Sequence, residues 1–145
     1  GTMAYFWFYV TVMKKFVLTG WVGFCMLMAV FVHAQSDVFA PIKEAIKATN
    51  ADQLVRHLNS SIDVTLDGPV TTYSRAQSKL VFQRFFEKNP MTEFTIVHTG
   101  SSKGGLQFAL GRYVSGTEKY NVIIRAREVQ GAFLVHEISF TKEEK

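Results

Sequence analysis

The sequence predicts an α+β domain whose N-terminal helices pack in the concave face of a strongly curved antiparallel sheet, and the sheet ends in a four-stranded meander. Two observations lead to this fold class. Long helical periodicity occurs only before Pro90, and the chain after it alternates as strand between short turns that contain glycine. Helices segregated from an antiparallel sheet are typical of α+β domains. The chain of 145 residues has the length of one such domain.

The segment 1–34 differs from the rest of the chain, because most of its side chains are hydrophobic and none is acidic. Residues 13–15 read Met-Lys-Lys, residues 16–32 carry no charge, and Ala34 supplies the small side chain that precedes a cleavage point. A basic start, an apolar centre and a small-residue exit are the parts of a secretory signal peptide. We therefore predict a signal peptide over 13–34 and export to a bacterial periplasm or the extracellular space.

Two questions concern the same segment: whether the leader is cleaved, and whether residues 1–12 belong to the native protein. An uncleaved leader would anchor the protein in a membrane, although a transmembrane helix usually needs about 20 apolar residues. Residues 1–12 are uncharged and lie upstream of a complete signal peptide, so we interpret them as an extension that is not part of the native protein. If they lengthened an anchor instead, Lys14 and Lys15 would lie in mid-bilayer, which is costly. Contact with a membrane is expected only through an uncleaved leader.

Residues 35–145 have the composition of a single globular domain. They carry a net charge of +2 with mixed signs, so the electrostatics indicate no nucleic-acid partner. Cys25, the only cysteine, lies in the predicted signal peptide. The mature chain is therefore expected to contain no disulfide, no catalytic thiol and no cysteine-ligated metal.

Three helices are predicted before the meander. The first has Pro41 in its first turn, a position that tolerates the missing N–H. Asn50 with Gln53 forms a capping pattern that opens a short second helix, and residues 74–77 repeat the pattern before the third helix. The third helix presents a wide apolar face to a core, formed by Leu80, Val81, Phe82, Phe85 and Phe86.

The strands follow from alternation of apolar and polar side chains. Residues 62–66 alternate as a half-buried strand, and after a turn at 67–69 the extended residues 70–73 pair back on it. Each later break is short and contains glycine, so each joins neighbouring antiparallel strands. The meander strands are predicted at about 92–101, 105–115, 118–128 and 132–141.

The last of these strands reads Phe-Leu-Val-His-Glu-Ile-Ser-Phe over 133–140. With the order of the elements and the length of the segment 35–145, it resembles the nuclear transport factor 2-like (cystatin-like) α+β cone superfamily. Within that superfamily, the signal peptide and residues 36–141 resemble an exported bacterial family, domain of unknown function 4783. The superfamily includes hydrolases, isomerases, dehydratases and pure binding modules, so the resemblance implies the fold and leaves the activity open.

Polar residues on the predicted core face are the functional signal in the sequence. The even-numbered strand positions are the more apolar and are predicted to face the helices, yet His98, Arg112 and His136 share that face. A polar group on a buried face needs a partner or a function. Same-face pairing through the hairpins puts His98 beside Leu110, Leu110 beside Ile124, and Ile124 beside His136 or Ile138. The two histidines are then on the order of 14 Å apart, too far to share a metal ion. The acids of the strands are predicted to point to solvent, so no catalytic residue is assigned.

We therefore predict a noncatalytic exported module that binds a small ligand or a partner protein, without a cofactor or a metal. An apolar pocket with few polar groups is the usual form of a small-molecule site. The expected ligand has an apolar tail against Phe85 and Phe108 and an acidic head at Arg112. The alternative is a small cone-fold enzyme that uses a histidine of the cavity for acid–base chemistry. The predicted pocket residues are His98, Arg112, His136, Phe85, Phe108 and Tyr120.

The odd-numbered strand positions predict a second surface. Several are apolar and would form a patch on the convex side of the sheet, namely Val97, Tyr113, Ile123, Phe133 and Val135. An exposed apolar patch often marks an interface, and related cones commonly pair through their sheets. We therefore predict a homodimer through the convex face.

Overall fold

The computed structural model describes residues 37–144. The upstream extension predicted at 1–12 and the signal peptide predicted at 13–34 lie outside the described residues. The described part of the chain contains three helices and six strands in the predicted order. Their bounds are α1 Ala40–Lys47, α2 Ala51–Val55, β1 Leu58–Leu66, β2 Thr71–Ser74, α3 Arg75–Lys88, β3 Glu93–Ser102, β4 Leu106–Ser115, β5 Glu118–Val129 and β6 Ala132–Lys142.

Hydrogen bonds at the helix starts confirm the predicted caps. The Asn50 Oδ1 atom accepts the Gln53 N–H at 3.1 Å and begins α2. At the start of α3, the Ser74 Oγ atom accepts the Gln77 N–H at 3.2 Å, and the Gln77 Oε1 atom accepts the Ser74 N–H at 3.0 Å. Reciprocal capping of this kind satisfies N–H groups that the first helical turn leaves without a backbone acceptor.

The six strands form one curved sheet in the order β2-β1-β6-β5-β4-β3. The four hairpins are antiparallel, as predicted. One pair departs from the predicted antiparallel arrangement, because β1 lies parallel to β6. These two strands are joined by the rest of the domain rather than by a turn, and local alternation cannot indicate the direction in which such strands pair.

The helices lie against one side of the sheet, which we call the helix face. Helix α3 contacts β1 and β2, and α1 contacts β3. The opposite side, which we call the open face, carries exposed and half-buried side chains and is covered by none of the three described helices. The predicted α+β fold, with N-terminal helices on one side of a curved sheet, is therefore confirmed.

An aromatic cluster fills the space between α3 and the sheet. The ring centroid of Phe85 lies 4.8 Å from that of Phe140, 5.5 Å from that of Tyr120 and 5.7 Å from that of Tyr113. Phe82 is fully buried beside them. These contacts show that the rings pack as a core in the interior of the cone. Burial of one such side chain contributes about 1.5–3 kcal/mol to stability.

Candidate functional site

The six predicted pocket residues do not share one site. Phe85 and Tyr120 lie on the helix face, in the aromatic cluster. The other four lie on the open face: His98, Phe108, Arg112 and His136. The predicted pocket is therefore divided between the two sides of the sheet.

The prediction that the even-numbered positions of β4 face the helices is wrong. Odd-numbered positions are buried there instead, and Tyr113 on β4 is the Cα partner of Tyr120 on β5. Two residues separate β4 from β5, and a turn of that length pairs positions whose numbers sum to an odd value. Odd positions of β4 consequently share a face with even positions of β5. This relation moves Phe108 and Arg112 to the open face.

Two β-bulges determine where the histidines lie. In β3 the register shifts between Ile96 and His98, so Ile96 packs at the core while His98 turns to the open face. In β6 the register shifts at His136, the extra residue between Val135 and Glu137. A bulge leaves one residue unpaired and reverses the alternation beyond it. The prediction that both histidines face the interior of the cone is wrong for this reason.

Arg112 forms an ion pair on the open face, where its Nη2 atom lies 3.1 Å from the Glu143 Oε1 atom. Its predicted position in the cone is therefore wrong. Phe108 lies over the backbone of β3, where a Cβ atom added to Gly100 would be 2.6 Å from the Phe108 ring. Glycine at this position leaves room for the ring, and the His98 ring lies beside it with the centroids 5.9 Å apart.

A cavity of about 550 Å³ opens where the C-terminal end of α3 meets the ends of β1 and β6 and the start of β5. We call it the mouth cavity. Its floor is apolar and aromatic and is formed by Leu66, Tyr73, Val81, Phe85 and Tyr120. Two of the predicted pocket residues, Phe85 and Tyr120, therefore line one cavity together.

Charged residues border the mouth cavity, and the prediction did not include them. Arg84 and Lys88 are one turn apart on α3, and Lys142 ends β6. The Asp67 Oδ1 atom accepts the backbone N–H of Lys142 at 3.0 Å. The Lys142 Nζ atom lies 3.3 Å from the Glu118 Oε2 atom, and this hydrogen bond raises the pKa of Lys142. Two cations four residues apart on the third helix were the available signal in the sequence.

Asn89 joins two tyrosines to the end of α3. The Tyr120 hydroxyl donates to the Asn89 Oδ1 atom at 2.9 Å, and the Tyr113 hydroxyl donates to the Asn89 backbone oxygen at 2.5 Å. Burial raises the pKa of Tyr113 to about 12. Burial also raises the pKa of Tyr120, while Lys142 opposes the rise and the carboxylate of Asp67 adds to it. Both phenols therefore remain protonated at neutral pH and act as hydrogen-bond donors.

A second cavity, of about 610 Å³, lies on the open face. Four apolar side chains form part of its lining, and we call them the open-face patch: Leu106, Phe108, Leu110 and Ile123. Charged and polar side chains line the remainder, among them Asp63, Arg125, Arg127, His136 and Glu137. Of the predicted pocket residues, Phe108 and His136 line this groove together.

The apolar surface predicted for a homodimer has different members in the structure. Tyr113 and Val135 are fully buried on the helix face, so they form no exposed patch. Ile123 belongs to the open-face patch, and Val97 is exposed at the β3 bulge. The homodimer stays a prediction, and the apolar residues available to it include Val97 and those of the open-face patch.

Within residues 37–144, no group of three or more His, Cys, Asp or Glu side chains is placed to hold a metal ion. No helix in this part of the chain is long and apolar enough to cross a membrane. The groups that the two cavities offer to a ligand are guanidinium, ammonium, imidazole, phenol, amide and carboxylate side chains beside apolar surface.

The helices, the curved sheet and the cavity at its end define the NTF2-like, cystatin-like class of α+β folds. An NTF2-like protein of unknown function from Shewanella baltica has a TM-score of 0.56 at 14% identity, and the match covers 74% of this chain and 90% of that one. A domain of unknown function with a cystatin-like fold from Nostoc punctiforme has a TM-score of 0.59 at 11% identity, over 74% of each chain.

The chain belongs to the family described as Domain of unknown function (DUF4783), because the model of that family matches residues 39–141. The DUF4783 protein from Bacteroides uniformis is similar over 75% of this chain and 100% of that one, with a TM-score of 0.70 and 20% identity. No curated protein matches the chain. The predicted resemblance is therefore confirmed for family and fold, and the family description assigns no activity.

Proposed function

We propose that the protein is an exported, noncatalytic module that binds a small carboxylate with an apolar body in the mouth cavity. The observation that carries the proposal is an aromatic floor bordered by three cationic side chains, Arg84, Lys88 and Lys142. An apolar cavity with a few convergent polar groups is the common form of a small-molecule site. The export part of the proposal rests on the leader sequence alone.

The floor of the mouth cavity supports binding of an apolar tail. Phe85 and Tyr120 are buried, and their rings meet edge to face with the centroids 5.5 Å apart. Asn89 accepts the Tyr120 hydroxyl hydrogen and so fixes the ring from its polar end. A surface that is already ordered gains affinity because little side-chain freedom is lost on binding.

The border of the cavity supports binding of an acidic head group. Arg84 and Lys88 are exposed on α3, and no carboxylate among residues 37–144 forms an ion pair with either. Charge-assisted hydrogen bonds to a carboxylate are roughly twice as strong as neutral ones. The proposal keeps the predicted ligand chemistry and moves its head group from Arg112 to the cations of α3 and β6.

The groups around the mouth cavity favour binding over catalysis. A general acid or base works best when its pKa lies near the working pH. The pKa of Tyr120 is raised away from that range, and both His98 and His136 lie on the open face. The alternative function, an enzyme that uses a histidine of the cavity, lacks this support, because no histidine among the described residues lines the mouth cavity.

The domain over 37–145 is suited to the test, because it forms one compact unit and the match to the Bacteroides uniformis structure covers 100% of that chain. Calorimetric titration with 4-phenylbutyrate and with dodecanoate should show binding. The corresponding amides should bind about tenfold more weakly or worse, since they lack the charge. The double variant Arg84→Ala with Lys88→Ala should weaken binding of the acids by about tenfold or more.

A matched control is available on the same helix. Lys79→Ala also removes a cation from α3, but Lys79 pairs with Asp52 at 2.6 Å and does not line the mouth cavity. This variant should bind the acids like the wild type. Equal affinity for acids and amides, or an equal effect of the double variant and the control, would refute the carboxylate site.

Export has a separate test. Protein recovered from the envelope of the native bacterium should begin at Gln35, as intact mass or N-terminal sequencing would show. A mature form that retains residues 16–32 would contradict the cleavage.

A further inference from the structure

We propose that the open-face patch is a docking site for an acidic, amphipathic segment of another protein. Its four apolar side chains lie beside one another on β4 and β5, and Leu110 remains 37% exposed. Apolar surface rimmed by polar groups is typical of an interaction site. The proposal is independent of the mouth cavity, which lies on the other side of the sheet.

The patch does not belong to the core. Leu110 is the Cα partner of Ile123. The neighbouring pair, Ala109 and Ile124, is buried and faces the other side of the sheet. Because successive side chains of a strand point to opposite faces, these residues cannot contact the helices. This apolar surface can therefore be shielded from water by contact with a partner.

Phe108 is the aromatic element of the patch, and its ring packs against β3 at Gly100. Its ring occupies the space that a Cβ atom at Gly100 would need, with a separation of only 2.6 Å. The His98 ring lies beside it, with the centroids 5.9 Å apart. Aromatic anchors commonly dominate interface energies.

The border of the patch on β5 is cationic. Arg125 is the Cα partner of Phe108, and Arg127 is the Cα partner of Leu106. The Arg125 Nη1 atom bonds the Glu137 Oε2 atom at 2.8 Å, whereas no carboxylate among residues 37–144 pairs with Arg127. Acidic side chains beside the apolar residues of a partner would complement this border.

A second copy of the chain complements the border less well. In a two-fold interface the same surface meets itself, so the arginines of one copy would approach the cationic border of the other. The carboxylates of the groove already have partners, since Arg125 holds Glu137 and the Thr72 hydroxyl donates to Asp63 at 2.6 Å. The charges therefore favour a different, acidic partner.

The test uses two short synthetic peptides of equal length and the domain over 37–145. Both peptides carry the same Leu and Phe positions of an amphipathic pattern, and the flanking positions are Glu in one and Lys in the other. The Glu peptide should bind about tenfold more tightly than the Lys peptide at low ionic strength, and added salt should reduce the difference.

Single substitutions locate the peptide on the patch. Phe108→Ala and Arg127→Glu should each weaken the Glu peptide by about tenfold. Gly100→Ala keeps every charge but displaces the Phe108 ring, and should weaken it by about threefold or more. Arg56→Glu is the charge control, because Arg56 caps the end of α2 and lines neither the groove nor the mouth cavity. Thermal unfolding checks that each variant is folded.

Three results would overturn the proposal. The first is equal affinity for the two peptides, and the second is an Arg127→Glu effect no larger than that of Arg56→Glu. The third is a dimer in light scattering that Phe108→Asp dissociates, which would assign the patch to a second copy. The double variant at Arg84 and Lys88 should retain peptide binding, so failure of this site and failure of the mouth cavity are distinguishable.

Discussion

The two faces of the sheet are made from the same strands, yet they hold their side chains differently. On the helix face, Tyr113 is fully buried and its hydroxyl has a backbone acceptor, and Phe82 of α3, which packs over this face, is fully buried as well. On the open face, Phe108 and Ile123 are only half-buried. Residue type is therefore a poor guide to energetic role in this domain. We expect the helix face to determine stability and the open face to tolerate substitution while it serves binding.

The largest expected difference is between two phenylalanines. Phe82→Ala should lower the free energy of unfolding by about 3–5 kcal/mol, because it leaves a cavity in the aromatic cluster. Phe108→Ala should lower it by about 1 kcal/mol or less, since the ring is half in water. Urea unfolding of both variants measures the two values. Similar losses of unfolding free energy in the two variants would contradict the proposed difference between the helix face and the open face.

Two glycines of the β3–β4 hairpin give a matched pair. A Cβ atom at Gly111 would lie 2.7 Å from the backbone oxygen of Thr95, which cannot move without β3. Gly111→Ala should therefore destabilise the domain by about 1–3 kcal/mol. At Gly100 the obstacle is the Phe108 ring, which can rotate toward solvent, so Gly100→Ala should have the smaller effect. The reverse order in chemical denaturation would contradict the packing described for the two faces.

At alkaline pH, ionisation of a phenol on the helix face should reduce stability. The folded-state pKa of Tyr113, about 12, lies above the ordinary value of 10.0. The stabilisation from its protonated phenol is therefore fully present below pH 10 and is lost as the pH rises through 12. The stability advantage of the wild type over Tyr113→Phe should decrease across this window. Unfolding from pH 8 to 12 measures it, and an advantage that does not change with pH would contradict the assignment.

The smallest effect is expected for an ion pair of the open face. Arg125→Gln removes the exposed pair with Glu137 and should reduce stability by about 0.2–1 kcal/mol, and by less in high salt. Arg112→Gln, which breaks the pair with Glu143 on the same face, is the control and should behave alike. A loss in urea unfolding as large as that of a core truncation would mean that the open face contributes to stability as the helix face does.

Local sequence signals predicted most of the fold. The capping pairs at Asn50 and Ser74 and the glycine-containing turns are set by interactions within a few residues, and they appear as expected. The parallel pairing of β1 with β6 depends on contacts across the whole domain. No pattern within one strand contains that information, so this pairing could not be predicted from alternation.

The candidate site was harder to predict, because a face assignment depends on counting every residue between strands. Of the cross-strand neighbours in the prediction, His98 beside Leu110 is correct, and of the two alternatives for Ile124, His136 or Ile138, the partner is Ile138. The pairing of Leu110 is wrong, because its partner is Ile123. That one-residue error and the bulges in β3 and β6 moved the predicted polar residues from the helix face to the open face.

Amide chemical shifts of the domain over 37–145, followed as 4-phenylbutyrate is added, separate the two faces in a single experiment. If the mouth cavity binds small carboxylates and the open face does not, the changes should be concentrated at Arg84, Lys88, Asn89 and Lys142. The amides of the open-face patch should remain unchanged. Changes centred on Phe108 and Ile123, or no changes at a saturating concentration of the acid, would contradict the assignment of small-ligand binding to the mouth cavity.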